Sequence, residues 1–287
     1  MLHTPVVTAT AVVQNAGGKP CVLYLDTGAR PAAGPSWKAA QQLLRTLPHR
    51  ETRVSAVMPP GGYHLFLLEA PNVPPAELRD AMRWKLKDMI ATPPELLSID
   101  AFMLPQRPNV NGARQVYVVA AEQWQVDEQA AIVSGGRRQL DSIDIPELAL
   151  RNLMRLVPGE ENGCALLLLG RGYLQILISR GGCLYLARRI EGALARDPGQ
   201  IALEVQRSLQ FHETHFDAPA IGRLLLTPAS AAADSLARSL GDATGLTVEL
   251  LPLQQMLDCS GIDLAVSEPE SIIALGAALR PMGMELN

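Results

Sequence analysis

Apolar positions crowd most densely between Cys164 and Ile190. CALLLLG, YLQILIS and CLYLARRI are three runs of strand length, separated by Gly-Arg-Gly and Arg-Gly-Gly. Leu, Ile, Val and Tyr suit a pleated, packed surface, and the glycines supply the positive φ angles that tight reversals need. Residues 165–189 are therefore expected to form a three-stranded antiparallel meander. Its first run is apolar at successive positions, Ala165 through Leu169, so it should lie deep in a sheet covered on both faces. A helical pattern then reaches Phe216. A buried strand at 223–226, a helix at 231–243, a short strand at 247–251 and a helix at 271–280 complete the order βββαβαβα.

The first half repeats part of this order. Residues 6–13 and 21–25 read as strands joined by Asn-Ala-Gly-Gly-Lys, a hairpin signal. A Pro/Gly-rich loop leads to Ser36, a fitting N-cap for a helix to about Leu47. A strand at 53–58 ends at Pro59-Pro60-Gly61-Gly62. Only the opening strand of the second half has no counterpart here. If the halves are duplicates, the chain begins one strand late, either because the strand was dispensed with or because the sequence was cut.

An insertion at 63–108 interrupts the first half. It opens with a strand at 64–68 and continues through a proline-rich segment into a helix at 76–90, with Pro75 where a first turn tolerates proline. Leu78, Met82, Leu86, Met89 and Ile90 share one face at helical spacing. Trp84 lies about 160° from Met82 at 100° per residue, nearly opposite that face. Arg79, Arg83 and Lys87 follow one another at intervals of four along an intermediate face. Two uses of Trp84 are open: packing on a neighbouring subdomain, or lining a groove for a partner. Pro93-Pro94 stops the helix, a strand returns at 99–104, and 107–113 reads as a polar linker. A strand at 115–121, a helix at 122–135, a short strand at 141–145 and a helix to about Leu156 follow. Val157 to Gly163 (VPGEENG) is the clearest boundary. The expected lobes are 1–160 and 161–287.

Composition narrows the function. The 287 residues are 48% apolar and 19% charged, suited to a folded chain with a large core. A net charge of −4 implies no general affinity for nucleic acid. Apolar runs reach only a strand's length, against the ~20 residues of a membrane helix. No basic segment followed by an apolar core stands at the amino terminus, so no secretion signal is expected. Cys21, Cys164, Cys183 and Cys259 are scattered, which suits small buried thiols in a reducing compartment.

The succession EAPNVPPAELRDAMRWKLKDMI, SIDAFML, VYVVAAEQW, LDSIDIPELALRNLM, the meander, EVQRSLQF and IIALGAALR resembles the PilM family of type IV pilus assembly proteins. Its likeness is closer to the MshI relatives of the mannose-sensitive haemagglutinin (MSHA) pilus. Most of the chain is covered, most specifically by the Arg83-Trp84-Lys85 helix and the Asp-Ile-Pro-Glu-Leu-Ala-Leu-Arg-Asn segment. The resemblance implies an α/β fold of two ribonuclease-H-like, actin-like lobes, with a small α+β insertion subdomain in the first. It also implies a partner: PilM-like proteins bind the short cytoplasmic tail of a single-span inner-membrane protein, PilN or its equivalent, through the inserted subdomain and its neighbour.

In that superfamily nucleotide lies between the lobes. Glycine-rich hairpins cradle its phosphates, an acidic residue in each lobe's first strand holds metal or water, and a glycine pair lets the backbone approach the adenosine. Matched residue by residue, these parts are replaced. The first lobe's phosphate hairpin would precede Thr4. The usual Asp-Ile-Gly becomes Leu168-Leu169-Gly170, and the glycine pair becomes Pro228-Ala229, where proline offers no donor. Gly170 and Gly172 remain, and the turn alone explains them. The expectation is a nucleotide-binding scaffold without its nucleotide: no enzyme activity, no cofactor, and no use of ATP or Mg.

Other chemistry is weaker. His212 and His215 stand three apart in FHETHF, but His212 falls in the stripe of Ile201, Val205, Leu209 and Phe216, and no third ligand has zinc-like spacing. No metal is expected. Arg188-Arg189 suits a solvent-facing strand end better than a phosphate site. No nucleophile elbow or Walker loop occurs. The reading is a non-catalytic cytoplasmic scaffold of an MSHA-type pilus machine, held at the inner membrane by a PilN-like partner and meeting other assembly components. Arg79, Arg83, Trp84 and Lys87 are its candidate partner surface. The alternatives are an active PilM-like ATPase and the cytoplasmic domain of a GspL-like type II secretion protein. A GspL-like chain should continue into a membrane helix, and this one ends at Asn287 after its last helix.

Overall fold

A computed structural model describes residues 6–14, 19–29, 36–46, 53–105, 114–133, 138–192, 197–259, 262 and 268–280. The expected linker at 107–113 and most of the Asn-Ala-Gly-Gly-Lys turn lie outside them. One compact unit takes in Met1–Arg50 and Pro146–Met284, and the other takes in Glu51–Ile145. This division departs from lobes at 1–160 and 161–287, and the cause lies in the N-terminal hairpin of β1 (Val6–Gln14) and β2 (Pro20–Ala29). The Val22 N–H donates to the Asp258 carbonyl and the Asp258 N–H to the Pro20 carbonyl, each at 2.8 Å. The hairpin is thereby fastened to the segment around Asp258, and α1 (Ser36–Thr46) lies against it.

The main sheet of this unit contains the expected meander, β8 (Cys164–Leu169), β9 (Tyr173–Arg180) and β10 (Cys183–Glu191), antiparallel throughout. Gly172, Gly181 and Gly182 turn it at positive φ. β11 (Arg223–Thr227) and β12 (Thr247–Leu250) continue the sheet in parallel, in the order β10-β9-β8-β11-β12. β8 is thus the middle strand, and Leu166, Leu167 and Leu168 are wholly buried, as its uninterrupted apolar run requires. On one face Leu167, Ile176 and Leu224 pack with Ile201 and Val205 of α5 (Pro198–Phe216) and Leu240 of α6 (Ala231–Thr244). Asp197 caps α5, accepting from the Gly199 N–H at 2.8 Å ahead of a Pro198 whose ring fits the first turn.

The second unit holds the insertion. β4 (His64–Glu69), β5 (Leu97–Met103) and β6 (Gln115–Glu122) form an antiparallel sheet in the order β4-β6-β5. β6, left outside an insertion at 63–108 by the sequence, is its central strand. Leu78, Met82 and Leu86 seal α2 (Leu78–Lys85) against Val116 and Val118. The expected helix at 76–90 is therefore α-helical only in its middle, with tighter 3₁₀ turns at Pro75–Glu77 and Leu86–Asp88. Three residues per turn rotate Met89 out of the apolar stripe, and it is 45% exposed rather than buried. The same unit contains α3 (Gln123–Ala130) and a parallel pair, β3 (Arg53–Val57) with β7 (Gln139–Asp144).

The two halves share one order. An antiparallel pair (β1/β2, β9/β10), a helix (α1, α5) and a parallel pair (β3/β7, β11/β12) recur, with a closing helix after each. Those helices, α4 (Pro146–Met154) and α8 (Pro269–Ala278), both begin Pro-Glu and pack on each other. The short α7 (Leu253–Met256) was not foreseen. Among the described residues β8 and the short α7 lack a first-half counterpart. The fold is α/β, two lobes of ribonuclease-H-like, actin-like order.

Gly276 makes the α4–α8 contact possible, because a Cβ there would sit 2.0 Å from the Ala149 carbonyl oxygen. Gly276→Ala should therefore lower stability by about 2 kcal/mol or more, overriding a helix-propensity gain of up to ~1 kcal/mol. Gly241 of α6 has only distant neighbours, the nearest 3.7 Å from such a Cβ. Gly241→Ala should stabilise by up to ~1 kcal/mol. Denaturant midpoints for the two variants should move in opposite directions.

Candidate functional site

The features singled out in the sequence fall in three separate places. The first is the glycine turn between β8 and β9. Leu168, which the sequence reading matches to a carboxylate position, is wholly buried, paired with Gln175 of β9 and Thr227 of β11. The Gly170 N–H donates to the Tyr173 carbonyl (2.9 Å) and the Gly172 N–H to the Gly170 carbonyl (3.0 Å). Both glycine donors of the turn thus serve the turn itself. The Tyr173 ring lies so close to Gly170 that a Cβ there would come within 2.2 Å of it. Burial pushes the Tyr173 phenol above its usual pKa.

Arg189 covers this ring, its guanidinium carbon 3.6 Å from the centroid, and pairs with Glu191 at 2.7 Å. Arg188 pairs at 2.7 Å with Glu204, a buried carboxylate of α5 that Arg207 also reaches at 2.8 Å. Arg188 faces solvent as expected and Arg189 is half-buried, and a carboxylate anchors each of them. Arg171, at the tip of the turn, pairs with Glu268 at 2.5 Å, next to the start of α8. Pro228 and Ala229 are half-buried and lead to Ser230, whose hydroxyl caps α6 by accepting from the Ala233 N–H (3.1 Å). Gln175 could not have been singled out from sequence: its amide is buried in the sheet, and neither its oxygen nor its nitrogen has a hydrogen-bond partner.

The second place is the outer side of α2. Trp84 is 65% exposed, and Lys85 and Lys87 beside it are also exposed. Arg83 turns inward. Its Nη1 donates to the Pro94 carbonyl (2.6 Å) and the Leu97 carbonyl (2.7 Å), tying α2 to the start of β5. Arg79 makes an exposed pair with Asp100 at 3.3 Å. The four residues named together in the sequence therefore divide: Arg83 works within the fold, while Trp84 and Lys87 face outward. Two further exposed apolar side chains in this unit, Leu96 and Trp124, carried no periodic signal because both lie at element ends. The Trp124 indole N–H donates to Glu122, whose other oxygen accepts from the Thr92 hydroxyl at 2.6 Å. These bonds, Thr92's first, hold the Glu122 carboxyl below its usual range.

The third place is the C-terminal end of α5. His212 is wholly buried, edge-on to Tyr185 (5.7 Å between centroids), while His215 is exposed and stacked on Phe211 (4.6 Å). One ring belongs to the core and the other to the surface. Among the cysteines Cys164 is buried, and burial pushes its thiol up to about 12.

No family model and no curated protein matches the chain. Solved structures do. A chain of the PilM-PilN type IV pilus biogenesis complex superposes with a TM-score of 0.74 at 21% identity, over 99% of this chain and 97% of that one. A Bacteroides thetaiotaomicron protein of actin-like ATPase fold and unknown function gives 0.49 at 7% identity, over 88% and 92%. The cytoplasmic domain of EpsL, an inner-membrane component of the Vibrio cholerae type II secretion system, gives 0.44 at 13%, over 77% and 82%. The chain shares the fold of the pilus-complex chain along its whole length.

The Gly170–Tyr173 contact is open to a direct check. Gly170→Ala should cost about 1–3 kcal/mol, since the ring must move. Combined with Tyr173→Ala, the added cost of Gly170→Ala should shrink to a few tenths of a kcal/mol, a coupling that a double-mutant cycle in denaturant measures.

Proposed function

We propose that this chain is a non-catalytic scaffold of a type IV pilus machine of the MSHA type, binding the cytoplasmic tail of a PilN-like inner-membrane protein. The observation that carries this reading is the superposition over 99% of the chain on a chain of the PilM-PilN complex. Placement at the cytoplasmic side of the inner membrane follows from such a partner. No helix among the described residues is long and apolar enough to cross a membrane, so the partner supplies the attachment.

The pseudo-enzyme part rests on chemistry at the β8–β9 turn. A phosphate cradle works by presenting unengaged N–H groups to the anion. Here two of those donors are committed to carbonyls of the turn, at 2.9 and 3.0 Å, and the metal-holding carboxylate is replaced by buried Leu168. Pro228 removes another donor where adenosine would approach. Titration calorimetry with Mg-ATP should show no binding tighter than about 100 μM, on the order of 5.5 kcal/mol. Tighter binding would replace the scaffold reading with that of an active ATPase.

The partner surface rests on Trp84. A large aromatic ring that is 65% exposed on a helix already sealed by Leu78, Met82 and Leu86 has its area available for a partner. Lys87 stands one turn on and suits acidic or carbonyl groups of an extended tail. Trp84→Ala should weaken binding of the tail peptide by about 2 kcal/mol or more while leaving the melting temperature unchanged. Lys87→Ala, at the rim, should cost far less. Arg83→Ala should instead lower stability by about 1–3 kcal/mol, because it removes the clasp on Pro94 and Leu97. Unchanged tail affinity in a natively folded Trp84→Ala protein would remove this residue from the site.

A further inference from the structure

β4 forms one edge of the small antiparallel sheet, and the ladder fixes which of its backbone groups point outward. The Ala70 N–H donates to the Arg114 carbonyl at 2.7 Å, one step past the pair Glu69–Gln115. Alternation back along the strand gives the bonds with β6 to Leu68, Phe66 and His64, and turns the N–H and C=O groups of Leu65, Leu67 and Glu69 away from it. The far side of β6 agrees, since the Gln115 carbonyl accepts from the Leu104 N–H at 2.9 Å on the β5 side. Lys85 Nζ donates to the outward Glu69 carbonyl at 2.9 Å. Among the described residues no strand pairs with this edge, and the backbone groups of Leu65 and Leu67 have no partner there.

Edge strands are ordinarily guarded by charge, proline, a bulge or brevity. β10, at one edge of the larger sheet, has a register shift between Leu184 and Leu186 and carries Arg188 and Arg189, and β12 at the other edge is four residues long. The Leu97 carbonyl of β5 is taken by Arg83. β4 has none of these devices along its middle. HLFLLE runs against β6 without a register shift, contains no lysine or proline, and is apolar and half-buried from Leu65 to Leu68. Phe66 and Leu68 pack on the α2 side, so Leu65 and Leu67 occupy the other face.

This edge complements itself. In an antiparallel arrangement centred on Phe66, Leu65 lies opposite Leu67 of the second copy, and Leu67 opposite its Leu65. Those are the residues with outward donors and acceptors, so each such pair closes two hydrogen bonds. Phe66 meets Phe66 of the second copy in the close, non-hydrogen-bonded pair between them, and His64 meets its Leu68. Apolar side chains then oppose one another on both faces, with no like charges set opposite. A shift of two residues toward Glu69 would put that carboxylate opposite Leu65.

We propose that two copies of this chain join edge to edge through β4, antiparallel about a two-fold axis beside Phe66, so that their small sheets become one continuous sheet. The inference rests on the β4 ladder and stands apart from the pilus reading and from Trp84.

Sedimentation velocity of the whole chain at rising concentration should show a monomer–dimer equilibrium, with amide exchange at Leu65 and Leu67 slowing as dimer forms. Leu65→Lys and Leu67→Glu each set a charge against leucine, and each should raise the dimer Kd about tenfold or more. Mixing the two variants sets the introduced ammonium opposite the introduced carboxylate, and the mixture should dimerise about fivefold or more tighter than either variant alone. Recovery on mixing needs folded variants and this register, so it separates a broken interface from a broken fold. A chain that stays monomeric with freely exchanging Leu65 and Leu67 amides leaves the edge to a different protein and overturns the proposal. A monomer in which these amides are protected places a segment of the same chain there, which overturns it equally. A dimer that neither variant weakens, or variants that do not recover on mixing, would also refute it.

Discussion

The close crossing of α4 and α8 is the constraint on which the larger unit depends. All of α4 is buried, from Pro146 to Met154, and α8 lies between it and β1. The axes can approach because Gly276 has no side chain to meet the Ala149 carbonyl, and Asn152 Nδ2 donates to the Gly276 carbonyl at 3.0 Å across the contact. The same carbonyl accepts from the Leu279 N–H at 3.3 Å at the end of α8, so the amide adds a second donor that reaches across the helix contact. One glycine and one amide therefore set how near the closing helices of the two halves come. The N-terminal hairpin, the meander sheet and the chain's last helix are held together through that pair.

Elements whose burial follows a simple period were legible in the sequence. The meander could be read because an unbroken apolar run has few uses besides a covered strand, and its glycines mark the reversals. The pairing of the Pro-Glu helices was harder to see: Pro146-Glu147 and Pro269-Glu270 are 123 positions apart, and their likeness gains meaning only once the helices touch. β6 was assigned outside the insertion because sequence order does not reveal that the last strand of a three-stranded sheet lies in its middle. Met89 was misplaced because periodicity at 100° per residue presumes an α-helix, while the chain tightens after Lys85.

The candidate sites show the same divide. The match of Leu168 to a carboxylate position rests on the sequence alone. The engagement of the turn donors, the ring of Tyr173 on Gly170 and the guanidinium of Arg189 over that ring need coordinates, because the partners come from different strands. Arg83 and Trp84 are neighbours in sequence and looked alike as interface residues. Helical geometry separates them by about 100°, enough to send one side chain into the fold and leave the other in water.

The fastening of β2 to Asp258 and of β1 to α8 has a consequence for biosynthesis. The hairpin emerges from the ribosome first, but the groups that complete its packing are encoded after residue 250. At usual elongation rates that delay is on the order of ten seconds or more. For this interval the nascent N-terminal segment has a strand edge without its bridge and an apolar face without its helix, a state that chaperones commonly shelter. The meander can close as soon as it is synthesised, since its partners are adjacent in sequence. The order of synthesis and the order of assembly are therefore reversed: the part made first is finished last.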